Sequence, residues 1–181
     1  MKKILSYLII FFLCIQSEAQ FSKASLVASG LTCSMCSRAV KVALEGVPFV
    51  KEVTADIKSQ EYNIVFKENT DIDFDALKNA VEEAGFSVAK LKVTGNFSDV
   101  EVPKDKHVLL NGKNFHFISN TNKLLNGEQT FTIVDKEFLS AKDFKKYSSA
   151  TKMECIKTGK AGNCCEKDGI HTDERIYHVI I

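Results

Sequence analysis

Gly30-Leu31-Thr32-Cys33-Ser34-Met35-Cys36 is the stretch on which the reading of this chain turns. An alternating segment, Lys23 to Leu31, leads into it with Ala24, Leu26 and Ala28 on one face, the pattern of a half-buried strand. Behind it the spacing changes to threes and fours, and Cys36, Val40, Ala43, Leu44 and Val47 share one side of a helix from Ser34 to Glu45 that Gly46 ends. Two thiols three residues apart therefore sit where a strand hands over to a helix. Thiolate is the metal-binding form, and a helix N-terminus favours the anion. Soft sulfur donors select Cu(I), Zn(II) and other thiophilic ions over Mg, Ca and Mn.

Beyond Gly46 the pattern predicts two more strands. Val53, Ala55 and Ile57 alternate with polar residues, Ser59-Gln60 turns the chain, and Tyr62, Ile64 and Phe66 alternate back. Asp71 to Asp75 places carboxylates at a helix start, where they cap free amides. Phe74, Leu77, Val81 and Ala84 form that helix's apolar stripe, Gly85 ends it, and Phe86 to Val93 supplies a fourth strand. The order β-α-β-β-α-β predicts an α+β fold, a ferredoxin-like open sandwich with both helices on one face.

With Gly46-Val47 after the first helix and Ala84-Gly85-Phe86 after the second, residues 23 to 94 resemble the heavy-metal-associated domain. That family includes copper chaperones, the N-terminal domains of copper-transporting P-type ATPases and the periplasmic mercury-binding protein. The resemblance implies that Cys33 and Cys36 are the ligands of one soft ion, Cu(I) first and Hg(II) or Zn(II) as alternatives, held almost linearly. Leu31 stands where the family more often has Met, a packing position. Phe86 stands where members carry Tyr or Phe, close to the metal loop.

A thioredoxin-like redox pair is the rival use of Cys33 and Cys36. The chain has no tryptophan, its two prolines are Pro48 and Pro103, and neither has the thioredoxin placement. Met35 reads as an outward loop residue rather than a third ligand, and Asp71, Asp73 and Asp75 as a solvated helix start rather than a calcium loop.

Lys2 and Lys3 precede an apolar run of 12 residues, Ile4 to Ile15, and then Ser17-Glu18-Ala19. This is the pattern of a secretory signal peptide over residues 1–19, cleaved to leave Gln20, and it is too short to span a bilayer. Cys14 follows Phe12-Leu13 and lacks a lipoprotein context. The expected product is exported, periplasmic or secreted, without a membrane span after cleavage. A net charge of +1 provides no strong field for nucleic acid or anionic lipid.

Thr94-Gly95-Asn96 opens a polar stretch read as a linker, residues 95–106, ahead of a small β-rich domain, 107–181, of the OB-barrel kind. Asn111-Gly112 predicts a type I′ hairpin turn between two short strands. A strand from Gln129 to Val134, a short helix capped at Ser140 and a final strand from Arg175 follow. In the tail, Cys155, Cys164, Cys165, His171 and His178 lie close together with Met153 adjacent, and soft and imidazole donors at this density suggest a second metal site, with Cys155, Cys164, Cys165 and His171 as its candidate ligands. The competing expectation is a disulfide from Cys155 to Cys164 or Cys165 with one thiol left over. His107 and His116, on strands, read as surface or packed residues.

These features predict a non-enzymatic protein that captures or transfers Cu(I) by ligand exchange. Its expected partner is a metal-transporting ATPase or another envelope metal-handling protein. Mercury scavenging and thiol–disulfide exchange by the same pair are the alternatives, with a non-catalytic interaction domain as a third.

Overall fold

The structure, a computed structural model, describes residues 20–56, 58–118 and 121–181. The expected leader, residues 1–19, lies outside these. The first half follows the predicted order: β1 (Gln20–Ser29), α1 (Ser34–Glu45), β2 (Val50–Asp56), β3 (Glu61–Phe66), α2 (Phe74–Glu83) and β4, which begins at Ser87. Alternation places Phe21, Ala24, Leu26 and Ala28 of β1 in the core, and Tyr62, Ile64 and Phe66 of β3 beside them. β1 pairs antiparallel with both β3 and β4, and β2 with β3. Helix α1 buries Val40 and Leu44, and α2 buries Phe74, Leu77 and Val81. The Asp73 side chain caps α2 by accepting from the Asp75 amide at 2.9 Å.

The second half departs from expectation. β4 does not stop near residue 94 but runs to Val102, so the stretch read as a linker is in large part strand. β7 (Lys123–Ile133) pairs antiparallel along it from Leu91 to Val102. The polar letters that suggested a linker have strand-interior roles. Thr94, 7% exposed, shares a hydroxyl–hydroxyl hydrogen bond of 2.8 Å with Thr130 on the neighbouring strand. At Gly95 a Cβ would fall about 3.0 Å from the Gln20 carbonyl and from the Phe97 ring, so only glycine lets the strands and rings close together there.

β5 (His107–Leu110), β6 (Lys113–Phe117) and β8 (Ile176–Ile180) then extend the same sheet, whose order is β2-β3-β1-β4-β7-β8-β6-β5. The hairpin turn has Asn111 and Gly112 at φ 47° and 70°, as a type I′ turn requires. β6 and β8 run parallel. The expected OB-like barrel is not what these strands form: the sheet is open, with β2 and β5 at its ends.

One hydrophobic core spans both halves. At its centre the Phe21 ring meets Phe74 at 5.3 Å, Phe115 at 5.5 Å and Phe97 at 5.9 Å between centroids. Phe74 in turn meets Tyr177 of β8 at 5.2 Å. Polar contacts lock the same seam. Arg175 donates to Asp75 at 2.7 and 3.1 Å, pairs with Asp135 at 3.0 Å, and lies 4.2 Å over the Tyr177 ring. The acidic start of α2 is thus a docking point for the C-terminal half rather than only a solvated face. Among the described residues no helix is long and apolar enough to cross a membrane.

Candidate metal centre

Gly30, at φ 87°, turns the chain out of β1, and a Cβ there would meet the Phe86 ring at 3.8 Å. This bend carries Thr32 and Cys33 to the surface, with Phe86 packed beneath the loop as expected. Cys33 is the N-cap of α1: its backbone is extended (φ −153°, ψ 163°) and its sulfur accepts from the Cys36 amide at 3.3 Å. A thiol thus occupies the position usually taken by Ser, Thr, Asp or Asn.

The two sulfurs stand 2.7 Å apart, Cys33 exposed and Cys36 half-buried. Hydrogen bonding to Cys33, aided by the Thr32 backbone, holds the Cys36 thiol below its ordinary pKa. The first turn of α1 contains no acidic residue, so the positive end of its dipole is not neutralised from within the helix. A thiolate at Cys36 would supply the missing negative charge. Ser37, one turn in, is buried, and its hydroxyl lies 3.0 Å from the Tyr62 hydroxyl, anchoring the helix start to β3. Met35 is 71% exposed and outward, as read from the sequence, but it lies in the first turn of α1 rather than in a loop.

The tail residues are also brought together, with one exception. Cys155 (2% exposed) and Cys165 (0%) are buried, Cys164 is half-buried beside them, and the three sulfurs lie within 4.8 Å of one another. All five described cysteines are free thiols, so the disulfide expected at Cys155 is not formed. His171 is exposed and stands apart from the cluster. Of the two tail histidines it is His178 that reaches the cluster, and His107 joins it from β5. His107 and His116, ordinary surface or packed residues by the sequence pattern, each offer a ligand atom within 4.8 Å of the other and of Cys155. Burial, with Cys165 and Cys164 adjacent, pushes the Cys155 thiol far above its usual range.

Residues 26–87 match the family model of the heavy-metal-associated domain. The chain is 27% identical over 75 residues to a probable copper-transporting ATPase, HMA5, of Arabidopsis thaliana; the match covers 41% of this chain but 7% of that protein. Among solved structures, a copper-binding domain from the P-type ATPase HMA7 is 30% identical, with 37% of this chain and 89% of that one covered and a TM-score of 0.34. Oxidised MerP from Ralstonia metallidurans CH34 is 28% identical, covering 39% and 96%, with a TM-score of 0.34. The segment that carries Cys33 and Cys36, residues 26–87, is a heavy-metal-associated domain.

Proposed function

We propose that this chain is an exported carrier that captures Cu(I) at Cys33 and Cys36 and passes it on by ligand exchange. The observation that carries this reading is the surface dithiol at a helix N-terminus free of acidic residues, with one sulfur already serving as the cap. The family match and the relatedness to a probable copper-transporting ATPase support copper as the cargo. Exposure of Cys33 gives an incoming thiolate direct access to the bound ion. That thiolate adds to the ion, Cys33 and Cys36 leave in turn, and the Cys36 amide recovers its bond to the Cys33 sulfur. No covalent bond of a substrate is made or broken, so in this reading the chain is not an enzyme. The partner is a thiol-bearing metal-handling protein of the cell envelope, such as a metal-transporting ATPase, and the leader-like residues 1–19 support export. Hg(II) and Zn(II) are the other ions this pair accommodates.

Competition with a calibrated Cu(I) chelator tests the site. Cys33→Ser/Cys36→Ser should keep the fold, since neither side chain belongs to the core, and should weaken Cu(I) binding by more than the roughly 10–100-fold that loss of an outer-shell partner costs. Unchanged affinity would overturn the assignment. The 2.7 Å sulfur separation favours thiol–disulfide exchange as the second reading. Insulin reduction with turnover that depends on Cys33 would establish it instead.

A further inference from the structure

The C-terminal half gathers donors of its own on elements outside the heavy-metal-associated domain. Cys155 opens α4 (Cys155–Thr158, after α3, Ala141–Ser148), and Cys165 precedes the 3₁₀ turn Glu166–Asp168. The Cys155 sulfur lies 3.7 Å from Nε2 of His107 and 3.3 Å from Nε2 of His178. The Cys165 sulfur lies 3.6 Å from the same His107 nitrogen and within 4.8 Å of Cys155. An ion with bonds of about 2.3 Å to sulfur and about 2.0–2.1 Å to nitrogen, arranged tetrahedrally, has sulfur–nitrogen edges of about 3.6 Å. The three sulfur–nitrogen separations, 3.3, 3.6 and 3.7 Å, are edges of about that size.

Each imidazole is held from behind by a carboxylate. Nδ1 of His107 is 2.7 Å from Asp168, and Nδ1 of His178 is 2.6 Å from Asp135. Such a partner fixes the ring with Nε2 toward the metal. Each carboxylate has its own cation, Lys106 at 2.9 Å from Asp168 and Arg175 at 3.0 Å from Asp135, so neither leaves excess charge behind the ring. His116, fully buried, packs against both rings, its centroid 4.9 Å from that of His107 and 5.2 Å from that of His178. One of its nitrogens bonds Asp105, and the other, Nδ1, is buried without a partner. An orphaned imidazole nitrogen beside two free thiols marks this pocket as a place built for more than apolar packing.

The geometry points to a second, enclosed metal site formed by His107, Cys155, Cys165 and His178 for a divalent ion of the Zn(II) class. Two thiolates cancel a divalent charge, and two neutral imidazoles complete four-coordination. A monovalent ion on the same donors would bury a net negative charge. The surrounding satellite core is small, and Cys155 and Cys165 are two of its five buried members, with Ala161, Ile170 and Ile176. A bound ion would supply the cohesion that so small a core lacks. Cys164, half-buried and 3.3 Å from Cys165, flanks the site without completing it.

The test uses the full chain carrying Cys33→Ser/Cys36→Ser, so that its failure leaves the proposed Cu(I) function untouched. Reduced protein is loaded with Zn(II), dialysed and analysed for metal, and loaded in parallel with Co(II), whose spectrum reports tetrahedral thiolate ligation. Expected are one retained ion, a tetrahedral Co(II) spectrum with sulfur charge-transfer bands, and a rise in melting temperature on loading. Cys165→Ser and His107→Asn should each weaken retention by at least about 100-fold, while Cys164→Ser and His171→Ala should not. If Cys165→Ser fails to fold, the His107→Asn spectrum decides, because loss of one nitrogen must alter the Co(II) bands. No retained ion, a Co(II) spectrum indifferent to His107→Asn, equal loss in Cys164→Ser, or a Cys155 disulfide in protein isolated without reductant would each overturn the site.

Discussion

Replacing Phe21 with alanine removes a ring that is 1% exposed and touches rings from both halves of the chain: Phe74 on α2, Phe97 on β4, Phe115 on β6, and Phe131 on β7 at 6.4 Å. Phe→Ala in a core costs about 3–5 kcal/mol through lost transfer energy and the cavity left behind. Four aromatic neighbours, each pair worth about 0.5–1.5 kcal/mol beyond area burial, place this site toward the upper end, about 4–5 kcal/mol. Against a total stability of about 5–15 kcal/mol, that is a large share. With a urea slope of about 2–3 kcal/mol/M, the midpoint should fall by about 2 M. Because the lost contacts straddle the seam, the two halves should lose stability together. Urea titration followed by hydrogen exchange, with peptides read separately from residues 23–94 and 107–181, measures this directly. The expected outcome is one transition with both sets of peptides shifted equally. If residues 107–181 keep the wild-type midpoint while 23–94 shift alone, the shared-core argument is wrong.

Three further outcomes are expected. Burial, then the neighbouring His178, lowers the His116 pKa from 6.5 to about 4, so the unfolded chain binds more protons between those values. Stability of the metal-free protein should therefore be full above pH 6.5 and fall as pH drops toward 4, by roughly 3 kcal/mol in all, with His116→Gln flattening the slope in urea titrations. Arg175→Met keeps much of the stem but takes the cation from Oδ2 of Asp135, which is 4% exposed and keeps only its Oδ1 contacts with His178, and removes both bonds to Asp75; a loss of about 3 kcal/mol in thermal or urea unfolding is expected, and an unchanged midpoint would refute the role of this lock. Alkylation of Cys36 should titrate below the ordinary thiol value, and Cys33→Ser should move the inflection upward, because hydrogen bonding to Cys33 is the largest cause of the shift.

The heavy-metal-associated segment was legible because its signals are local. Alternation on β1 and β3, the stripe of α2 and the Cys33–Cys36 spacing each need only a short window. The second half was misread where the deciding partner is remote. Thr94 and Gly95 resemble a linker until Thr130 and the rings of Phe21 and Phe97 are beside them. The histidines are an intermediate case. A two-residue turn at Asn111-Gly112 sets Leu110 opposite Lys113, and counting back along the hairpin pairs His107 with His116. That much could have been read from the sequence. The parallel register that sets His178 beside His116 could not, because it depends on where β8 enters the sheet. His171 and His178 both lie near the tail cysteines in sequence, but the sheet selects by register and brings His178 to Cys155.

The order β2-β3-β1-β4-β7-β8-β6-β5 also determines which backbone remains available to another molecule. In a four-stranded sheet of this topology, β4 would be a border with unpaired amides and carbonyls, open to strand addition by a visitor. Here β7 fills that border from Leu91 to Val102. The frontier moves outward to β5, four residues long and closed by a tight turn, which is poor ground for annealing a foreign strand. At the opposite margin β2 exposes Lys51, Glu52 and Asp56, whose charges discourage indiscriminate pairing. Under the proposed function, a molecule collecting cargo from Cys33 and Cys36 would thereby be steered away from the sheet's borders and toward the loop between β1 and α1, where recognition falls to side chains.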